Sequence, residues 1–268
     1  MGANTKLLRS RIKSVDSTLH LTKAMGLVAS SKIRKATNAM LRGREYAQAV
    51  SNIVHSLVNN QDCQNGPYMM NRSEGRTKLI VIAGDRGLAG GYNANIFRTV
   101  RDYYQDAEII PIGKRVCDRF SFTPNSAEAF THEDSLKLAN ELCSEFVSGE
   151  YDRLGILGTK YISMMTQLPE VKWLLPLVKE AGESSDGMIF EPNAVTVLNA
   201  AIPEYVAGMI TAAVRESFAC EVAARRMAMD SAGKNAQQMI DSLQLQYNRA
   251  RQGTITQEIT EIVAGSGQ

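Results

Sequence analysis

The chain contains 268 residues, of which 44% are hydrophobic and 22% are charged, and its formal net charge is +2. A chain of this length can bury a core in one or two domains, and its composition excludes global disorder. No run of about 18 consecutive apolar residues occurs, so we expect no transmembrane helix. The N-terminus lacks an apolar signal core, which argues against secretion. The four cysteines form no Cys-x-x-Cys pair, a pattern typical of a reduced cytoplasm without a zinc or redox motif.

Positive charge is concentrated at the start of the chain. Residues 1–60 hold ten Lys and Arg but only two acidic residues, a net charge of +8, whereas residues 61–202 carry −5 and residues 203–268 carry −1. A basic segment of this length predicts an acidic partner, either nucleic acid or an acidic protein surface. Residues 1–45 contain no aromatic side chain on which a base could stack. The sequence therefore favours a protein partner.

The first segment has the periodicity of a long helix. Leu8, Ile12, Val15 and Leu19 are spaced 4, 3 and 4 residues apart, as in a coiled-coil seam, and residues 47–57 repeat the pattern. No proline occurs before Pro67. We expect one helix over residues 4–60, ~85 Å long at the α-helical rise. A helix of this length needs a partner helix along its side.

The C-terminal segment repeats this signal. Apolar residues recur at helical spacing from Val206 to Met227 and at residues 240, 243, 247 and 250, and Ile255, Ile259 and Ile262 follow. Pro203 fits either the first helical position or a kink after a short helix that begins near Asn193. We expect a helix of ~90 Å from Pro203 to Ala264. The two terminal helices predict a long antiparallel coiled coil, with the middle of the chain between them.

The middle of the chain has the pattern of an α/β domain. Apolar runs at residues 78–83, 108–113 and 153–159 predict strands, and residues 94–105 and 134–148 predict crossover helices. This alternation is typical of a Rossmann-like parallel sheet. The segments 61–76 and 181–192 are its expected joints. The predicted domains are therefore an N-terminal helix (1–60), a central α/β domain (61–192) and a C-terminal helix (193–268).

Residues 84–93 form a glycine-rich turn between a predicted strand and a predicted helix. This position is that of a dinucleotide-binding fingerprint, but neither G-x-G-x-x-G nor the P-loop pattern is present. A nucleotide-binding enzyme stays open as an alternative, beside a tight structural connection and a nucleic-acid-binding coiled coil. The three histidines show no metal-ligand spacing. For Asp85 and Arg86, a structural ion pair or a partner contact is favoured over catalysis.

Three blocks carry a resemblance to a known family. They are IKSV (12–15), LTKAM (21–25) and VASSKIRK (28–35) in the first helix, DRGLAGGYN (85–93) in the glycine turn, and LQLQYNRARQ (243–252) with ITQEITEIV (255–263) near the end. Together with the order helix, α/β domain, helix, they resemble the gamma subunit of bacterial F-type ATP synthases over the whole chain. Ala89 stands where this family often has Cys, a small change that alters no charge.

The resemblance implies a rotor without catalytic residues, cofactor or metal. In this family the terminal helices form a shaft inside a ring of alpha and beta subunits, and the α/β domain lies near the membrane c-ring and binds epsilon. Rotation driven by proton flow takes the catalytic beta subunits through their nucleotide states. The implied location is peripheral, on the cytoplasmic face of the bacterial plasma membrane, without membrane insertion or nucleic acid.

The same resemblance implies candidate contact residues for the beta subunits. Near the C-terminal tip they are Arg251, Gln252, Thr256 and Glu258. On the first helix they are Met25, Lys32, Arg34 and Lys35, and in the glycine turn Arg86. For each basic residue, a solvated helix face is the alternative interpretation.

Overall fold

The computed structural model describes residues 3–63, 66–70, 72, 75–179 and 190–265. The helices are α1 (Ala3–Val58), α2 (Tyr92–Tyr103), α3 (Lys114–Phe120), α4 (His132–Ser148) and α5 (Ala194–Gly265). The strands are β1 (Thr77–Ile82), β2 (Glu108–Ile112), β3 (Arg153–Tyr161) and β4 (Gln167–Leu175). The two long terminal helices and three expected strands are thereby confirmed, with boundaries shifted by a few residues. The expected joint at 181–192 lies mainly outside the described residues.

The chain separates into two compact units, and each terminal helix contributes to both. One unit comprises Met1–Ser30 with Arg225–Gln268, and the other comprises Ser31–Ala224. This division crosses α1 after Ser30 and α5 before Arg225. The α/β sheet belongs wholly to the second unit.

The first unit is a helix pair. The burial of Leu8 and Leu19 and the partial burial of Ile12 and Val15 match the predicted seam. A β-carbon at Gly26 would lie 3.7 Å from Met229 Cβ, and one at Gly233 would lie 3.9 Å from Leu19 Cδ1. Higher residue numbers on α1 thus meet lower numbers on α5, which confirms the predicted antiparallel arrangement.

The second unit is built on a four-stranded sheet of order β2-β1-β3-β4. β1 pairs in parallel with β2 and with β3, so that Leu79 aligns with Ile109 and with Gly155. Ile80 and Ile82 face a core that includes residues of α1, α4 and α5. Leu79 and Val81 face the opposite way, into a second core with α2. The parallel α/β prediction is confirmed for these three strands.

Strand β4 was not predicted, and it makes the sheet mixed because it pairs antiparallel with β3. Its sequence, QLPEVKWLL, lacks clear alternation and contains Pro169. A proline is tolerated there because β4 is an edge strand of the described sheet, where one side of the strand pairs with no other described strand. The short helix α3 was also missed, since its seven residues include four charged ones.

Helix α5 begins before Pro203 and continues through it. Asn193 Oδ1 accepts a hydrogen bond from the Thr196 amide at 2.9 Å, which stabilises the helix start. An interior proline costs about 3 kcal/mol, and the burial of Ile202, Tyr205 and Val206 around it offsets this cost. The first of the two predictions for Pro203, the first helical position, is wrong. The second, a helix that begins near Asn193 and includes Pro203, agrees with the structure.

One stretch of α5 is long and apolar enough to cross a membrane by length and composition, with a mean hydropathy of 1.4 over 18 residues. Within the described residues, 56% of that stretch is buried inside the protein. A buried core helix of a soluble protein passes the same test of length and hydropathy, so this stretch is weak evidence for a membrane span.

Candidate protein-contact surface

The glycine-rich turn at residues 84–93 packs against α5. The Gly84 amide donates to Asn93 Oδ1 at 2.9 Å, and the buried Tyr92 hydroxyl donates to the Ser217 carbonyl at 3.0 Å. A β-carbon at Gly84 would lie 2.6 Å from the carboxyl carbon of Glu221. A side chain at Gly84 would therefore displace the Glu221 carboxylate, and a phosphate near Gly84 would meet that carboxylate. Both observations favour the tight structural connection over nucleotide binding.

Asp85 has a structural role, because its carboxylate holds a neighbouring loop in place. Its carboxylate accepts hydrogen bonds from Ser126 Oγ at 2.6 Å and from the amides of Ala127, Glu128 and Lys114 at 2.9, 3.0 and 3.1 Å. Partial burial would raise the pKa of Asp85, but these four donors outweigh burial and lower it below the usual range. Asp85 is thus held ionised as the centre of a structural network.

Arg86 and Lys32 are far apart in sequence, and the structure brings both to one carboxylate. Lys32 Nζ lies 2.7 Å from Glu128 Oε1, and Arg86 Nη2 lies 3.6 Å from Glu128 Oε2. The Lys32 and Glu128 side chains are each about two-fifths exposed, and Arg86 is 67% exposed. Glu128 was missed because a lone acidic residue in a loop carries no sequence signal.

The other candidates on α1 also lie at or near the surface. Arg34 and Lys35 are exposed and belong to the second unit, as Lys32 and Arg86 do. Met25 is half-buried and belongs to the first unit. The α1 candidates thus fall on both sides of the unit boundary.

The C-terminal candidates lie on the last turns of α5. Arg251, Gln252 and Thr256 are exposed, and the Thr256 hydroxyl donates to the Gln252 carbonyl at 2.9 Å. The side chain of Glu258 lies outside the described part of the protein. The exposed fractions of Ile255, Ile259 and Ile262 are 45%, 55% and 70%. Apolar side chains exposed in series on one helix indicate a surface that another protein covers.

Sequence reasoning also missed an ion pair that joins α1, α5 and β3. Arg44 Nη2 donates to Glu216 Oε1 at 2.6 Å and to the Tyr161 carbonyl at 2.8 Å, and the Tyr161 amide donates to Glu216 Oε1 at 2.8 Å. The hydrogen bond to Glu216 raises the pKa of Arg44. The partners are 172 residues apart along the chain, so no local pattern could reveal the pair.

Comparison with known proteins tests the resemblance directly. A family model described as ATP synthase matches residues 4–267. The ATP synthase gamma chain of Ruminococcus albus is 38% identical and that of Nitrosococcus oceani 35% identical, the alignments covering 98% of this chain and 98% and 99% of the relatives. The chain belongs to the gamma chain family of ATP synthases. Both relatives come from bacteria, and the predicted family is confirmed.

Solved structures of ATP synthases contain chains that share the fold. A chain in the Euglena gracilis mitochondrial ATP synthase (OSCP/F1/c-ring) matches with a TM-score of 0.71 at 19% identity, covering 98% of this chain and 94% of that one. A chain of the Tetrahymena thermophila central stalk and c-ring matches with a TM-score of 0.63 at 21% identity, covering 79% and 99%. The predicted long-helix and α/β architecture is confirmed. As a gamma chain, the protein is a subunit of an ATP synthase.

Proposed function

We propose that this gamma chain is a non-catalytic rotor that couples c-ring rotation to conformational change in the catalytic beta subunits, during both ATP synthesis and ATP hydrolysis. The observation that carries the proposal is the family match over nearly the whole chain. A subunit that transmits torque needs stiff, continuous elements. The helices α1 and α5 are such elements, since they are 56 and 72 residues long.

The proposed partners are the alpha and beta subunits of the hexameric head, the epsilon subunit and the membrane c-ring. The proposed location is the cytoplasmic face of the bacterial plasma membrane, where the chain is peripheral. We propose that the chain has three functional parts. They are an N-terminal helix (1–60), an α/β domain (61–192) and a C-terminal helix (193–268). The two helices form the shaft and the α/β domain lies toward the c-ring.

The proposed beta-subunit contacts lie on the two long helices and in the glycine turn. Arg251, Gln252 and Thr256 are exposed on α5, beside a series of exposed isoleucines, which supports a covered surface there. Glu258, Met25, Lys32, Arg34, Lys35 and Arg86 complete the set. The net charge of +8 on residues 1–60 supports an acidic partner surface for the basic members. Exposed ion pairs contribute about 0–1 kcal/mol each, so such contacts can break at every rotary step.

The first experiment mixes the chain with the alpha and beta subunits of its own source. We expect a complex with one gamma chain per three alpha–beta pairs, and faster Mg-ATP hydrolysis than alpha and beta alone. A chain that neither associates nor accelerates hydrolysis would contradict the proposal.

The double variant Arg251→Ala with Gln252→Ala tests the tip contact. Loss of two polar interface side chains should weaken assembly or lower turnover about fivefold, since together they remove on the order of 1 kcal/mol. The matched control is Lys234→Ala with Gln237→Ala, which likewise removes one basic residue and one glutamine from exposed positions of α5. Normal assembly, hydrolysis and proton pumping in the first variant would remove Arg251 and Gln252 from the contact set.

A further inference from the structure

Glu128 lies between two of the proposed contact cations. Its Oε1 is 2.7 Å from Lys32 Nζ on α1, and its Oε2 is 3.6 Å from Arg86 Nη2 in the glycine turn. The two carboxylate oxygens thus serve different cations. All three side chains reach solvent, with exposed fractions between 38% and 67%. A charged group brought from outside could therefore reach the same two cations.

The position of Glu128 is built by its surroundings. Asp85 accepts hydrogen bonds from the Glu128 and Ala127 amides and from Ser126 Oγ, so it holds the backbone that carries the Glu128 side chain. Arg86, the next residue along the chain, pairs with that side chain. Two consecutive residues of the turn therefore engage one glutamate, one through its backbone and one through its carboxylate. A loop held in this way presents its charge with little loss of entropy.

We propose that Glu128 is an internal competitor for the acidic partner surface: it occupies Lys32 and Arg86 until a partner carboxylate displaces it. The inference rests on the proposed function, because it assumes that these cations contact the partner. The partner is an acidic protein surface, which the charge of +8 on residues 1–60 favours. Partly exposed ion pairs are weak and exchangeable. Glu128 thereby lowers the affinity of this contact and keeps the two cations in position when the partner leaves.

The test compares Glu128→Gln with Glu133→Gln in the full-length chain. Both variants remove one negative charge, but Glu133 pairs with Lys137 on α4 at 2.9 Å and touches neither contact cation in the described structure. At low salt, Glu128→Gln should bind the alpha–beta complex about threefold more tightly than wild type, the order expected for releasing weak exposed pairs. Glu133→Gln should bind as wild type does, and 0.5 M salt, on the order of the concentration that screens exposed charges, should abolish the difference.

A variant cycle separates competition from a structural role. In a chain that carries Lys32→Gln and Arg86→Gln, the added Glu128→Gln change should give no tighter binding, because the released cations are gone. If Glu128 only stabilised the loop, its replacement would weaken binding and lower the thermal midpoint. Equal affinities of Glu128→Gln and Glu133→Gln, or a gain that persists in the triple variant, would overturn the inference while wild-type assembly still supports the rotor. Failure of the wild-type chain to bind alpha and beta would instead overturn the proposed function, and this inference with it.

Discussion

At the scale of single residues, Asp85 shows how one side chain can organise a surface. A partly buried carboxylate with four hydrogen-bond donors is stabilised in its ionised form, and in this state it joins the glycine turn to residues 126–128 and to the start of α3. Its pKa is lowered, so the folded chain releases the Asp85 proton more readily than the unfolded chain. Its contribution to stability is therefore complete above the ordinary Asp pKa of about 3.9 and is lost as pH falls through the lower folded-state pKa.

The variant Asp85→Asn tests this network. We expect a loss of about 1–3 kcal/mol in the free energy of unfolding at pH 7, the usual size for hydrogen bonds to a charged group. The difference from wild type should shrink as the pH falls below about 4, because the wild-type carboxylate is then protonated. Urea denaturation from pH 7 to pH 3, at about one-unit intervals, measures both effects. Asp118→Asn, at an exposed position on α3, is the control and should leave stability nearly unchanged.

Sequence reasoning reached some of these residues and not others. Asp85 and Arg86 stand in a recognisable motif, so a structural or contact role could be predicted from the sequence. Their common partner, Glu128, and the Arg44–Glu216 pair could not be predicted, because each joins residues from distant parts of the chain. Side-chain partners depend on which segments the fold brings together. The periodicity of the sequence carries no information about such distant partners.

At the scale of elements, small residues set the distance between α1 and α5. In the second unit, a β-carbon at Gly43 would lie 3.5 Å from Ala212 Cα and 3.3 Å from Arg215 Cδ. A β-carbon would fit against the α5 backbone in ordinary van der Waals contact, but the further atoms of a larger side chain would press on α5 and its packed core. A small residue at position 43 thus permits the close approach of the two helices.

The variant Gly43→Val should destabilise the chain by about 1–3 kcal/mol through overpacking. Gly253→Val is the matched control, because a β-carbon at Gly253 would meet nothing within 4 Å. It should leave stability unchanged or slightly higher, since glycine is the weaker helix former. Thermal unfolding followed by circular dichroism compares the two. Equal midpoints for both variants would show that the helices can separate at Gly43 without cost.

Strand β4, unlike the other strands, could not be predicted from its own sequence. The buried strands β1 and β3 are apolar runs that periodicity detects, whereas β4 is an edge strand whose burial is irregular. Its stability comes from the ladder with β3 and from the Trp173 ring, which lies 4.0 Å from the Arg153 guanidinium carbon. Cross-strand partners such as this one are decided by pairing and are invisible in the strand's own pattern.

At the scale of the whole molecule, the distribution of charge is the property most directly tied to the proposed rotor. The excess of ten basic over two acidic residues in positions 1–60 favours an acidic partner, and weak exposed pairs allow that contact to break repeatedly. A rotor contact that becomes too strong should hold the shaft at one angle. Coupling should then decline even when assembly and hydrolysis continue.

The variant Met25→Lys tests this balance. It adds one positive charge to an already basic helix, and we expect the extra ion pair to strengthen the partner contact by up to about 1 kcal/mol. Protons pumped per ATP hydrolysed should fall, as measured in vesicles that contain the whole complex. Met239→Lys makes the same chemical change at an exposed position of α5 and is the control. Unchanged coupling in the Met25 variant would remove this residue from the contact set.

The sequence by itself determined the two long helices, the three parallel strands and the family, because each is encoded by local periodicity or by specific short blocks of residues. Only the tertiary structure decided the edge strand β4, the course of α5 through Pro203 and the partners of Lys32, Arg86 and Arg44. The physical reason is how far apart along the chain the interacting residues lie. The sequence patterns of helices and buried strands lie within a few neighbouring positions, whereas ion pairs and edge pairing join residues that only the folded chain brings into contact.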